Sequence, residues 1–304
     1  MSTFDYRIFS LNIRSDLRLT GHVENSFSGQ PDIVVRRGRV PETLTAASDS
    51  GVLFESKPGE LLLKIPKLSR ILVREGREIL YTPHHEAELQ EAALPIVGSG
   101  FGALLHQRGA LALHGSCVLA KDGAVAFLGD SGAGKSTIAA GLTRRGCSLV
   151  TDDILAITFQ DGVPMVLPCR SDIKLWKDSL QAVELSPAKH RPVRTELPKY
   201  LTRLSCVGDE PYPLQAIYIL PSSPTSRLKV ERPEFSLIQK TVPALLRYTY
   251  QPRYLKGLGK RGVNLRDCGL LAQRVALKTA KLPWSLECLD ELADAILADL
   301  GATA

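Results

Sequence analysis

Short apolar segments separated by turn residues dominate the first third of the chain. The better-defined segments cover residues 51–54, 61–65, 70–73 and 78–81, and looser runs occupy residues 6–13 and 33–35. The residues between them include Pro58, Gly59, Pro66 and Gly76. Runs of this length bounded by glycine and proline are typical of antiparallel strands joined by tight turns. We therefore predict a strand-rich N-terminal domain over residues 1–95.

Longer apolar patterns follow this domain. Residues 85–94 and 96–107 are predicted as helices, which Pro95 interrupts. Arg108 and Gly109 are residue types that fit the C-terminal end of a helix. The boundary with a second domain, residues 96–304, is therefore expected between Pro95 and Gly109.

The second domain alternates strands and helices. Its predicted strands cover residues 111–119, 124–128, 147–150, 154–159, 163–167 and 214–220. Its predicted helices cover residues 135–145, 171–180, 234–248, 265–276 and 285–300. Alternation of this kind is typical of an α/β fold. The fold class expected for the chain is thus α/β, with the strand-rich domain preceding the α/β part.

A phosphate-binding loop is the most specific motif in the sequence. Residues 129–136 match the pattern G-x-x-x-x-G-K-S in full, an apolar strand precedes them and a helix follows. Glycines let several backbone N–H groups point at phosphate oxygens, and the helix N-terminus faces the same anion. Lys135 is expected to reach the β- and γ-phosphates, and the Ser136 hydroxyl to bind Mg²⁺. The predicted ATP-binding residues are Gly129, Asp130, Ser131, Gly132, Ala133, Gly134, Lys135, Ser136 and Thr137.

Two adjacent aspartates, Asp152 and Asp153, follow the next predicted strand. If that strand returns beside the first, its C-terminal end lies at the same edge of the sheet as the P-loop. Phosphoryl transfer needs a carboxylate near the metal and a base that orients the acceptor hydroxyl. Neighbours on an extended strand point to opposite faces, so one aspartate must turn at the strand end. A pair of solvated loop carboxylates is the alternative.

Composition excludes several other classes of protein. The net charge of +6 comes from scattered Lys and Arg, and no zinc-finger spacing or aromatic RNA-binding motif is present, so nucleic acid is not an expected partner. The six cysteines form no C-x-x-C pair, and the chain shows neither a signal-peptide pattern nor an apolar run long enough to span a bilayer. No ABC signature loop and no guanine-specific N-K-x-D motif is found. We expect a cytoplasmic protein with no membrane contact.

These motifs resemble the catalytic core of the HPr kinase/phosphorylase family. The resemblance rests on Leu-His-Gly at residues 113–115, the P-loop, Arg-Gly at 145–146 and Leu-Val-Thr-Asp-Asp at 149–153. It implies a fold related to phosphoenolpyruvate carboxykinase, ATP-dependent phosphorylation of a protein serine, and possible homo-oligomers. By this resemblance Asp152 matches the general base, and His114 matches a histidine near the phosphates. Asp153 matches the neighbour of the base on the metal side, where it would hold the metal together with Ser136. On the residues alone, His114 could equally be a buried histidine of the core.

The chain departs from this family in two segments. The glycine-rich signature after the aspartates is absent, and residues 168–176 instead read Pro-Cys-Arg-Ser-Asp-Ile-Lys-Leu-Trp. The arginine-glycine-asparagine loop near the C-terminus is also missing. The chain looks more like the HPr-kinase-related serine kinases of ribosomal peptide biosynthesis, including lasso-peptide tailoring kinases, which phosphorylate a serine of a precursor peptide. A bifunctional HPr serine kinase/phosphorylase and a non-catalytic nucleotide-binding regulator remain as alternatives.

Several other residues are open to two interpretations. Arg170, Lys174, Lys199 and Arg203 could steady the transferring phosphoryl group or an acidic peptide, or could form a solvated basic face. Trp176 and Trp284 are expected in the core rather than in a ligand site.

Overall fold

The computed structural model divides the chain into two compact units. It describes residues 3–84, 89–169, 171–193, 197–221, 229–231, 237–281 and 286–301. The first unit comprises the chain up to Ala112 together with Thr249–Gly269, and the second comprises Leu113–Tyr248 together with the chain from Leu270. The sequence-based boundary after residue 95 differs from this division, because the helix before Gly109 bonds to the first unit: the Gln107 side chain donates to the Val73 carbonyl and accepts from the Gly76 N–H.

The strands are numbered in chain order. In the first unit they are β1 (Phe4–Ile8), β2 (Leu11–Ser15), β3 (Ile33–Arg37), β4 (Asp49–Gly51), β5 (Phe54–Lys57), β6 (Glu60–Ile65), β7 (Ser69–Arg74) and β8 (Glu78–Pro83). Those that follow are β9 (Leu111–Ala120), β10 (Gly123–Leu128), β11 (Ser148–Thr151), β12 (Ile154–Gln160), β13 (Val163–Leu167), β14 (Ile173–Trp176), β15 (Arg191–Pro192), β16 (Lys199–Thr202), β17 (Tyr212–Ile219), β18 (Lys229–Glu231) and β19 (Ala276–Lys281).

The α-helices are α1 (Leu89–Pro95), α2 (Phe101–Gln107), α3 (Lys135–Thr143), α4 (Lys177–Ala182), α5 (Leu237–Arg247), α6 (Arg261–Arg274) and α7 (Leu289–Gly301). A π-helical turn, Ile96–Gly100, joins α1 to α2, and short 3₁₀ helices cover Pro187–Lys189, Pro252–Tyr254 and Leu286–Cys288. No helix in the described part of the chain is both long and apolar enough to cross a bilayer.

The first unit is built on one sheet, in which the described strands follow the order β1-β2-β3-β8-β7-β6-β5-β4. The predicted meander is present as the antiparallel series from β4 to β8. The predicted run over residues 6–13 is a hairpin instead of one strand, because Phe9 and Ser10 both have positive φ and reverse the chain. The N-terminal part is thus strand-rich, as the pattern predicts.

The second unit is a mixed α/β structure around a second sheet. Its described strands follow the order β10-β9-β12-β13-β17-β19-β18, β11 also pairs with β9, and β10 also pairs in parallel with β17. The strand before the P-loop is fully buried, and its Phe127 ring stacks on the Tyr218 ring with centroids 5.8 Å apart. Helix α3 packs its apolar side chains, such as Ile138 and Leu142, into the same core.

Strand β9 sets the position of the candidate site. Both β10 and β11 pair with it antiparallel, so they run parallel to each other but lie on its two sides. In the described strands, β11 therefore returns with β9 between it and β10 and not directly beside β10. Phe127 of β10 lies opposite Ser116, and Thr151 of β11 lies opposite Cys117. The residues that follow each strand therefore reach the same edge of the sheet, level with the middle of β9.

Two predicted helices are wrong in part. Residues 171–180 were expected to be helical, but β14 occupies Ile173–Trp176 and only the later residues form α4. The alternation of buried and exposed positions in β14 has period two, which the short segment conceals. The helix predicted over residues 265–276 ends at Arg274, and β19, which the sequence pattern does not predict, follows it.

A buried ion pair attaches α7 to the sheet. Lys278 of β19 is 2% exposed, and its ammonium lies 2.5 Å from a carboxylate oxygen of Asp299 on α7. The Tyr218 hydroxyl donates to the same oxygen at 2.6 Å. A buried cation is tolerated only when it is paired in this way. The end of α7 is therefore fixed by charge as well as by apolar packing.

We predict that Lys278→Met lowers the free energy of unfolding by about 3 kcal/mol, because it leaves the partly buried Asp299 carboxylate without its cation. Urea denaturation of the full chain measures the change. The double variant Lys278→Met/Asp299→Leu should recover most of the loss, since no uncompensated charge remains. Equal stability of the wild type and the single variant would contradict this account.

Candidate functional site

The P-loop has the backbone geometry that its glycines permit. Gly132 and Gly134 have φ values of +85° and +92°, in the left-handed region that favours glycine. A side chain at either position would meet open space, so backbone conformation and not crowding requires these glycines. The loop then enters α3 at Lys135. The first N–H groups of an α-helix have no carbonyl partner within the helix, which makes this helix start suitable for binding an anion.

The Lys135 ammonium lies inside the loop. The residue is 7% exposed, and its Nζ donates to the carbonyls of Gly129 and Asp130 at 2.9 Å each. Burial lowers the pKa of Lys135, while the nearby carboxylates of Asp152 and Asp153 oppose that shift. The site therefore contains a cation with two acidic partners close by.

Asp152 is a buried carboxylate that accepts several hydrogen bonds. Its Oδ1 accepts from Ser116 Oγ at 2.6 Å and from Ser136 Oγ at 2.8 Å, and its Oδ2 accepts from the Lys174 backbone N–H at 3.1 Å. The residue is 7% exposed. These bonds connect Ser136 of the P-loop to Asp152, whereas the family resemblance places Ser136 with Asp153 at the metal.

Asp153 occupies the turn between β11 and β12. Its φ of +75° is unusual for a residue other than glycine, and its carbonyl accepts from the Gly115 N–H at 3.3 Å. Its carboxylate lies 3.0 Å from Lys174 Nζ and 3.3 Å from His114 Nδ1. The expected turn within the aspartate pair thus lies at Asp153, and it directs the two carboxylates to different partners.

The charges around Asp153 favour its ionised form. Burial would raise the pKa of Asp153, but the hydrogen bond from His114 and the charge of Lys174 outweigh burial and hold the pKa well below its ordinary value. For Lys174, burial would lower the pKa, and the Asp153 carboxylate instead raises it. The two groups therefore form a stable ion pair at neutral pH.

These residues line one cavity of about 390 Å³, a size within the range of small-molecule sites. Its polar side contains the predicted P-loop residues from Ser131 to Thr137, both aspartates and His114. The remaining lining residues are Ile138, Lys174, Trp176, Ser179, Lys199, Pro221, Leu286, Cys288, Leu289 and Leu292. The predicted catalytic residues and seven of the predicted nucleotide-contacting residues lie together here, whereas Gly129 and Asp130 are not among the lining residues.

Other sequence-based expectations have different outcomes. Asp130 points its carboxylate to Arg247, whose guanidinium donates at 2.7 Å. Arg203 pairs with Asp172. Trp176 was expected in the core but is 45% exposed and lines the cavity, because it is the last residue of a short strand. Arg170 and Trp284, and residues 85–88 of the first predicted helix, lie outside the described residues.

Sequence reasoning missed Ser116 as a site residue. It lies two positions after His114 on β9, and residues at that spacing point to the same face of a strand. His114 contacts Asp153 and Ser116 contacts Asp152, so one face of β9 holds both aspartates. The spacing was visible in the sequence, but the pairing of β9 with β11 that gives it meaning was not.

The donor set fits Mg²⁺ with a bound nucleotide. Ser136 and Asp152 offer a hydroxyl and a carboxylate, which are oxygen ligands of the kind that Mg²⁺ prefers. Among the described residues no cluster of three or more His, Cys, Asp or Glu could enclose a metal alone. Mg²⁺ commonly takes one or two protein ligands together with phosphates and water, so the two oxygen donors of Ser136 and Asp152 agree with this mode of binding.

No protein-family model and no curated protein matches the sequence. Among solved structures, the chain is similar to the HPr(Ser) kinase/phosphatase of Coxiella burnetii. The similarity covers 64% of this chain and 99% of the other, with 10% sequence identity and a TM-score of 0.31. At this TM-score and identity, the similarity supports no statement about the function of this chain.

We predict that Lys174→Met raises the pKa of Asp153, because the variant loses the cation that favours the carboxylate. Carbon-13 NMR of the Asp153 carboxyl group measures the titration directly. A lowered pKa in the folded state contributes stability that is present above the unfolded value of about 3.9 and is lost as the pH falls through the folded value. The stability deficit of Lys174→Met should therefore be largest near neutral pH and shrink in acid.

Lys177→Met is the matched control for this experiment. Lys177 is an exposed lysine on α4, three residues along the chain from Lys174. Its removal should leave the titration of Asp153 within experimental error of the wild type. If the two variants moved the Asp153 midpoint equally, the ion pair would not be the cause.

Proposed function

We propose that the protein is a Mg²⁺- and ATP-dependent serine kinase that acts on a peptide or protein, and that its acceptor is a ribosomally made precursor peptide. The observation that carries the proposal is the 2.8 Å hydrogen bond between Ser136 of the P-loop and Asp152. A P-loop serine joined to an acidic residue is the arrangement that P-loop phosphotransferases use to hold the metal. A module that only bound a nucleotide would not need the second carboxylate, Asp153, beside it.

The geometry favours an exchange of the roles first assigned to the two aspartates. Asp152 already accepts bonds from Ser116, Ser136 and Lys174, so it fits the metal side. Asp153 has a side chain that is 29% exposed to the cavity and is held ionised by Lys174. We therefore assign Asp153 to the acceptor: it orients the serine hydroxyl and accepts its proton as the bond to phosphorus forms.

The remaining groups act on charge and position. The Lys135 ammonium and the loop amides bind the phosphates, and Mg²⁺ held by Ser136 and Asp152 would neutralise charge on the β- and γ-phosphate oxygens. His114 fixes the orientation of Asp153. Lys174 lies close enough to both aspartates to offset their charge when the phosphates approach. Overall the γ-phosphoryl group leaves ADP and joins the serine oxygen, while Asp153 takes the hydroxyl proton.

Transfer is tested with labelled ATP, Mg²⁺ and a panel of acceptors that includes the precursor peptide encoded nearest to this protein and HPr. Acid-stable, phosphatase-sensitive label on a peptide serine supports the proposal. Labelling of HPr that phosphate reverses would support the bifunctional alternative. Tight ATP binding with no label on any acceptor would favour a regulatory role.

We predict that Asp153→Asn lowers kcat by about 10²–10⁴-fold, because the acceptor hydroxyl loses its base. The Kd for Mg-ATP should stay within a few fold of the wild-type value, since Ser136 and Asp152 are untouched. Single-turnover transfer and isothermal titration calorimetry provide the two measurements.

Asp152→Asn is the matched comparison, because it makes the same change one residue earlier. It should weaken Mg-ATP binding and reduce the dependence of binding on Mg²⁺, and transfer should fall as a consequence. If Asp152→Asn instead spared nucleotide binding while abolishing transfer, the original assignment of Asp152 as the base would be correct.

A further inference from the structure

We propose that the apolar half of the cavity binds the planar base of the nucleotide. The proposal rests on the nucleotide site proposed above and extends it beyond the phosphates. The same cavity that contains the P-loop continues over the side chains of Trp176, Pro221, Leu286, Leu289 and Leu292. A nucleoside triphosphate has this division of chemistry, with an anionic end and a flat, largely apolar end.

Two of these side chains are large, apolar and unusually exposed. Trp176 is 45% exposed and Leu286 is 40% exposed, whereas Leu289 and Leu292 behind them are 6% and 1% exposed. Concave apolar surface that stays in contact with water is a common mark of a ligand site. A bound base would cover the exposed surface of Trp176 and Leu286 and leave the two buried leucines as its support.

The apolar half of the cavity lies beside α3, the helix that follows the P-loop. Gly141 on α3 has no side chain, and a Cβ there would lie 3.1 Å from Leu289, so the glycine allows the start of α7 to approach α3 closely. The P-loop leads into the other end of α3. One helix, α3, therefore contacts Leu289 of the apolar half near its C-terminal end and carries the P-loop at its N-terminal end, so it fixes the distance between the two.

The polar side chains near the apolar half of the cavity already have partners, which indicates that apolar contact is the main source of affinity for the base. The hydroxyls of Thr137 and Ser179 bond to each other at 2.9 Å. The Lys199 ammonium lies 5.4 Å from the centre of the Trp176 ring, where the electrons of the ring face attract it. The described lining residues thus favour stacking and packing against a base over hydrogen bonds to its edges.

The test compares Mg-ATP with Mg-tripolyphosphate, which has the phosphates without the base. Calorimetry on the full chain should give about tenfold tighter binding of ATP, the size expected of one stacked base. In Trp176→Ala and Leu286→Ala this ratio should fall toward one, while the Kd for tripolyphosphate stays within about twofold. Leu197→Ala is the control, because Leu197 is 42% exposed in the same unit but is not among the described residues that line the cavity.

Cys288 supplies an independent readout that needs no mutation. It is half-buried and lines the apolar half, whereas Cys117, Cys147, Cys169 and Cys268 are buried. Mg-ATP should slow its alkylation by N-ethylmaleimide at least fivefold more than Mg-tripolyphosphate does. Peptide mass spectrometry measures the rate at this cysteine alone.

The outcomes separate this inference from the kinase proposal. An unchanged affinity ratio in both cavity variants, or an equal loss for both ligands, overturns the base site even if phosphate transfer is intact. Protection of Cys288 by an apolar acceptor peptide and not by ATP would also overturn it, and would assign the apolar half of the cavity to the acceptor. If the affinity ratio falls in Trp176→Ala and Leu286→Ala but the wild-type protein transfers no phosphate, the base site is supported and the kinase proposal is overturned.

Discussion

The structure of the site depends on accommodating two adjacent aspartate side chains beside the P-loop with little contact with water. Removing a carboxylate from water is costly unless hydrogen bonds or cations replace the solvent. Asp152 receives this replacement from the hydroxyls of Ser116 and Ser136 and the Lys174 N–H. Asp153 receives it from His114 and the Lys174 ammonium. One lysine thus serves both aspartates, through its backbone and through its side chain.

Strand β9 explains why these groups meet. It pairs with the strand before the P-loop on one side and with the strand before the aspartates on the other. Its own face presents His114 and Ser116 between them. The pairing shifts register between Leu149 and Thr151, and the turn at Asp153 follows, so the chain is bent where its side chains are needed. Local irregularity of this kind is a common way to redirect side chains at functional positions.

The sequence predicts the elements of this site better than their arrangement. The P-loop glycines and the strand and helix around them obey local rules, and they appear where those rules require. The pairing of β9 with β11 involves residues about thirty apart, and no local pattern specifies it. The sequence offers Lys174 only as one of several basic candidates. Its contacts with both aspartates depend on its place in β14, a short strand whose sequence resembles that of a helix. Trp176 was assigned to the core for a related reason, since composition does not reveal that a strand ends at a cavity.

The contrast between the two aspartates shows how neighbours in sequence can acquire different chemistry. The two side chains are chemically identical, so any difference between their roles must come from the surroundings. The left-handed backbone at Asp153 carries a conformational cost of about 1–3 kcal/mol, which bonds to its carbonyl help to offset. In return it turns one carboxylate toward Lys174 and the open cavity while the other remains buried against Ser136. An extended pair would point one carboxylate away from the loop, so the strained turn is what allows both to line the cavity beside it.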